Sequence, residues 1–188
     1  MEKAMKELRL TELRALDEEN MVVEGYAVVF DSVTDLGWRK EVIDRNAFNG
    51  CDMSDVCMKY NHSDELLIMA RTRNNSLQLY VDDKGLKIRA ELIDTTQNRD
   101  LYKMIQSRLL DKMSFAFTVA EEEIDYETDL RKIIRIDKLF DVSVVDVPAY
   151  DTTDIYARGK EQYEEEKRKY DKLKLEKLKA LAILSLED

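Results

Sequence analysis

Lys112-Met113-Ser114-Phe115-Ala116-Phe117-Thr118-Val119 alternates strictly between large apolar and small side chains. With the two-residue period of a β-strand, Met113, Phe115, Phe117 and Val119 share one face, and Ser114, Ala116 and Thr118 share the other. The first face is built to be buried. The second has little bulk and carries a hydroxyl at its start, a good setting for a nucleophilic serine. Such a serine needs a base, and the chain has one histidine, His62.

Working outward from this strand, the other segments are mostly extended too. Just upstream, Asp94-Thr95-Thr96 supplies a helix cap, and Leu101, Met104, Ile105 and Leu109 follow at helical spacing, which predicts a helix over about 96–109. Leu77–Val81 and Leu86–Leu92 alternate on either side of Asp82-Asp83-Lys84-Gly85 and read as a hairpin. Val56 to His62 reads as a short strand ending at the histidine, and Leu66 to Thr72 as another. Trp38 to Ile43 reads as an exposed strand, and Asp44 to Phe48 as one capped helical turn. Met21 to Phe30 is a strong strand with Gly25 marking a bulge or a close approach, and residues 7–16 form the first strand. Downstream, Glu121 to Asp129 reads as an acidic loop. Ile133–Ile136 and Leu139–Val145 read as strands, with Pro148 ending the second. This order, mainly β with few helices (α+β), points to a small barrel or sandwich.

The character changes near Gly159. Residues 159–188 hold 8 basic and 8 acidic groups, whereas residues 1–158 carry the whole excess behind the net charge of −10. A domain over 1–158 and a charged C-terminal helical extension over 159–188 are therefore expected. The acidic balance argues against a nucleic-acid partner. No apolar run is long enough to cross a membrane, and Met1 to Glu7 lacks the apolar segment of a signal peptide, so neither a membrane nor a secretory route is expected. Cys51 and Cys57, with a single histidine, do not make an ordinary zinc site, and neither is given a catalytic role. No phosphate loop, metal cluster or Gly-x-Ser-x-Gly elbow is present, so no cofactor and no metal are expected.

Among the serines, Ser114 and Ser143 alone interrupt apolar strands. The structural reading of each is a small buried residue whose hydroxyl bonds to backbone. The functional reading is a nucleophile. His62 leaves an apolar strand into polar Ser63-Asp64-Glu65, and loops on a rigid β scaffold are where working residues sit. A third group usually orients such an imidazole. Asp141 lies between apolar neighbours on an expected strand, where a charge is costly unless paired. Lys138 or Arg135 are candidate ion-pair partners for it, and Asp137 and Asp146 are weaker rivals for its role.

The ordered set Gly25-Tyr26-Ala27-Val28-Val29-Phe30, Asn61-His62, Met113-Ser114-Phe115-Ala116-Phe117, Leu139-Phe140-Asp141-Val142-Ser143-Val144-Val145 and Pro148-Ala149-Tyr150 resembles the prohead maturation proteases of tailed phages. The resemblance covers about residues 6–158. It implies a small closed β-barrel flanked by helices, related to the herpesvirus assemblins, with the long C-terminal helix added, and it implies a homo-oligomer, dimer or higher. It maps the base onto His62 and the nucleophile onto Ser114. The family usually has Glu where Asp141 stands, one methylene longer. The oxyanion donors are marked by no motif.

The expected function is a serine endopeptidase that processes scaffold and major capsid protein inside the immature capsid, in the host cytoplasm, and cleaves itself, with Ser114, His62 and Asp141 as its catalytic residues. The alternative is a catalytically silent scaffold or capsid-assembly protein on the same fold. A generic hydrolase for small substrates would need a deep pocket in place of an open groove.

Overall fold

In the computed structural model, residues 7–17, 20–65, 68–146 and 154–184 are described. Ten strands and two α-helices follow in order, with one 3-10 turn at Thr72–Asn74: β1 (Glu7–Asp17), β2 (Val22–Val29), β3 (Thr34–Asp35), β4 (Lys40–Ile43), β5 (Cys57–Tyr60), β6 (Ala70–Arg71), β7 (Leu77–Val81), β8 (Gly85–Glu91), α1 (Thr96–Gln106), β9 (Lys112–Asp125), β10 (Leu130–Val145) and α2 (Asp154–Leu184). The class is α+β, mostly strand, with a long C-terminal helix.

The sheet runs β3-β4-β10-β9-β1-β2-β8-β7, with β5 and β6 branching from β10. The opening stretch is the first part of β9. It lies between two partners, β1 and β10, so Ser114 faces Leu10 on one side and Ser143 on the other. Met113, Phe115 and Phe117 point into the core with Val142, Val144 and Met58, and the rings of Phe115 and Phe117 stack at 4.7 Å. The hairpin of β7 and β8 forms where the alternation places it. Gly85 starts β8 because a side chain there would collide with the Val28 carbonyl of β2. Helix α1 starts at Thr95, whose side chain accepts from the Asn98 amide, and buries Leu101, Tyr102 and Ile105.

Several elements differ from the sequence reading. The expected closed barrel is not formed. β10 is flanked on its outer side by two short parallel strands, β4 along Leu130–Ile133 and β5 along Asp141–Val144. The sheet therefore splits beyond β10 into two small branches, and neither β3 nor β6 pairs with β7 to close the ring. A cavity of about 510 Å³ is lined by residues of β1, β2 and the β3–β4 branch, with Val28, Ile43 and Phe115 among them.

The residues read as an acidic loop are mostly strand, because β9 continues to Asp125. The two strands expected after them are one, β10. Thr34–Asp35 pairs as β3, and the strand expected over 66–72 is reduced to Ala70–Arg71, with Leu66 and Leu67 outside the described residues. Asp44 to Phe48 makes turns, not a helix: the Asp44 carboxylate and carbonyl accept from the amides of Asn46 and Ala47. The bulge expected near Gly25 comes between Tyr26 and Val28. Pro148 lies outside the described residues.

Helix α2 begins at Asp154 and runs through Gly159. Tyr163 is its anchor. Its ring is buried against Trp38 and Tyr126, and its hydroxyl donates to Asp129 at 2.6 Å. Lys167 pairs with Asp129, and Lys174 with Glu127 at 2.6 Å. No helix among the described residues is long and apolar enough to cross a membrane.

Candidate active site

The histidine is presented by a backbone device. β5 ends at Tyr60, and the Asn61 amide still bonds to the Val144 carbonyl of β10 at 2.9 Å. Asn61 and His62 then both take left-handed backbone, with φ of 49° and 53°, and the Ser63 amide closes the turn on the Tyr60 carbonyl. Non-glycine residues in this region are uncommon and persist where the surroundings hold them. The holding groups are visible here. Asn61 Oδ1 accepts the Asp146 amide at 3.2 Å, and the Tyr60 hydroxyl donates to Asp146 Oδ2 at 2.9 Å.

The turn delivers His62 Nδ1 to Asp141 Oδ1 at 2.5 Å. Asp141 is fully buried. It reaches this face through a bulge: the pairing of β10 with β9 shifts between Leu139 and Asp141. Strict alternation would put Asp141 on the face of Leu139, in the apolar core. The extra residue, Phe140, turns Asp141 to the opposite face, beside Ala116 and Ser114. The proposed ion-pair partners of Asp141 are engaged elsewhere, Lys138 with Asp52 and Arg135 with Glu121. Of the rival acids, Asp146 is tied to Tyr60 and Asp137 accepts from Thr118.

The sequence reading left Ser143 open between a backbone-bonded hydroxyl and a nucleophile. Its hydroxyl does not go to backbone but donates to Asp141 Oδ1 at 2.9 Å, the oxygen that also meets His62. Because Ser143 is directly opposite Ser114 in the β9–β10 register, the two lie on one face. Ser114, Ser143, Asp141 and His62 are therefore gathered on the side of the sheet away from the Phe115 core. Ser114 Oγ and His62 Nε2 are both buried and have no hydrogen-bond partner. Buried polar atoms without a partner are uncommon, and these two lie on the face that Asp141 shares.

Lys59, opposite Ser143 on β5, was not singled out in the sequence. Burial works against its charge, but the bond to Asp64 and the nearby charge of Asp141 outweigh this and hold its pKa above the ordinary lysine value. A cation thus stands beside the buried carboxylate. The alternation of Cys57 and Lys59 on one strand was the available signal. The thiol of Cys51 is pushed up to about 11 by burial, a poor state for a nucleophile.

A hydroxyl on a rigid strand and an imidazole held at one nitrogen by a buried acid are groups that acyl transfer can use, although Ser114 Oγ and His62 Nε2 are not hydrogen-bonded to each other. Comparison with solved structures finds the bacteriophage T4 capsid assembly protease, with a TM-score of 0.54 and 10% identity, over 76% of this chain and 98% of that one. That likeness is one of fold. No protein of curated function matches the sequence. The family model for the caudovirus prohead serine protease matches residues 9–169. That span runs from within β1 through β10 and into α2 past Lys167, most of the chain, and the chain belongs to the caudovirus prohead serine protease family.

Proposed function

We propose that this chain is an active serine endopeptidase of phage head maturation, with Ser114 as nucleophile, His62 as general base and Asp141 as the acid that orients it. The observation that carries the reading is the pair of unpartnered buried atoms, Ser114 Oγ and His62 Nε2, on the face where Asp141 holds His62 Nδ1. Ser114 attacks the scissile carbonyl, and His62 Nε2 takes the hydroxyl proton. The peptide C–N bond breaks, and the proton passes to the leaving amine. Water, deprotonated in turn by His62, hydrolyses the ester left on Ser114. Asp141 fixes the tautomer and balances the imidazolium. Since both reacting atoms are shielded from solvent, a cleavage cycle begins with the opening of that face.

The substrates in this reading are scaffold and major capsid protein within the immature capsid, and the enzyme itself, working as a homo-oligomer. The shorter Asp141 side chain reaches His62 at 2.5 Å, which favours catalysis over a silent assembly protein. Intact mass over time tests it, on wild type and Ser114→Ala at rising concentration, alone and with coat and scaffold proteins added. Trimming in the wild type only is expected. If coat, scaffold and enzyme all stay whole in both, the protease reading fails.

A further inference from the structure

The anchoring contacts of α2 end at Lys174, but the helix continues to Leu184. In the part beyond the anchor, Leu175, Leu178, Leu181 and Ala182 recur at three- and four-residue spacing, so they form one ridge along the helix. The three leucines are 52%, 55% and 62% exposed. The ridge is fenced by lysines. Lys172 and Lys179 lie along one side and Lys177 along the other, all exposed and none with an acidic partner among the described residues. Residues 167–182 carry seven basic and two acidic groups. The chain that bears this basic helix is otherwise acidic.

We propose that the distal half of α2 is a docking surface for an acidic amphipathic helix on another protein. An apolar ridge flanked by lysines is complementary to an apolar stripe flanked by carboxylates, the arrangement by which helix pairs choose partners. A second copy of this chain does not supply it. Its own leucine ridge is fenced by lysines, so like charges would face each other. Its acidic stretch, Glu161 to Glu166, has no apolar stripe in register: the positions that continue the ridge backward are Asp171, Arg168, Glu164 and Lys160.

The test uses the full chain carrying Ser114→Ala, so that it stays whole during measurement. The probe is a fluorescent heptad peptide with leucine on its apolar positions and glutamate on the flanking ones. Binding is read by anisotropy at low and high salt. The expected result is saturable binding, weakened about tenfold by salt and by at least about tenfold in Leu178→Asp and in Leu175→Asp. The same peptide with lysine in place of glutamate should not bind. Trp38 emission, which senses Tyr163, verifies that α2 remains seated in both variants. No binding, equal binding of the lysine peptide, or equal binding by Leu178→Asp would each overturn the proposal. So would two other outcomes. One is capture by phosphatidylglycerol-containing vesicles that the peptide cannot reverse, which would make the ridge a membrane surface. The other is self-association in sedimentation that Leu178→Asp abolishes, which would assign it to a second copy.

Discussion

Asp141 carries two contacts on one oxygen, His62 Nδ1 and the Ser143 hydroxyl, and these separate positioning from chemistry. Asp141→Asn keeps the shape but lets the imidazole settle in the wrong tautomer, so kcat should fall by about 10³–10⁴, measured on any cleaved peptide. Ser143→Ala removes one hydrogen bond to a charge, worth about 1.5–3 kcal/mol. As a positioning change it should lower kcat by about tenfold or more with KM unmoved, while Ser143→Thr, which keeps a hydroxyl, retains most of the rate. If Tm falls and kcat at a temperature well below it does not, Ser143 is merely structural. His62 and Ser114 were legible in the sequence because of scarcity: one histidine, and one hydroxyl at the head of a small-residue face. The role of Ser143 was not, because a strand serine looks the same whether it bonds to backbone or to a carboxylate. The pairing of Asp141 needed the bulge at Phe140, and no residue there announces one.

Among the elements, α2 is held by a few contacts that can be loosened separately. Lys167 and then the Tyr163 hydroxyl hold Asp129 below the ordinary aspartate range, and Lys174 does the same for Glu127. Both carboxylates have folded pKa values below their unfolded ones. Their contribution is therefore fully present above the ordinary carboxylate range and is lost as pH falls through the depressed values. Trp38, the sole tryptophan and 5.3 Å from Tyr163, should report the undocking of α2 as a change in emission on acidification, before the sheet melts. Asp129→Asn should move that change to higher pH. In the core, Phe117→Ala should cost about 3–5 kcal/mol in chemical denaturation, since the ring is fully buried and stacked on Phe115. The β7–β8 hairpin and α1 were plain from alternation and capping. The length of β9 was not. Glu121, Glu122 and Glu123 are poor strand formers, and they stay extended because β10 runs alongside and offers Arg135 to Glu121 and Arg131 to Glu122.

For the whole molecule, alternation required that one face of each strand be covered, but it did not say which strands would be neighbours. A closed ring satisfies the pattern, and so does the branched sheet observed. The difference rests on β10 having two short partners on one side, information held in long-range pairing. The branching has a measurable signature. Amides of β9, paired on both sides, should exchange with solvent most slowly, and those of β7, paired only to β8, much faster. Similar protection at β7 and β9 would indicate a ring closed in solution.

The pairing of β10 also sets an order of assembly during synthesis. β4 and β5 emerge from the ribosome early but lie parallel to a strand made far later, and His62 must wait for an acid 79 residues downstream. Contacts so distant along the chain form late. A nascent chain that has made His62 and Ser114 but not Asp141 therefore lacks the strand that draws them onto one face. With His62, Ser114 and Asp141 as the proposed catalytic residues, the centre is completed only when nearly the whole sheet has been made, so a chain truncated before Asp141 is expected to cleave nothing.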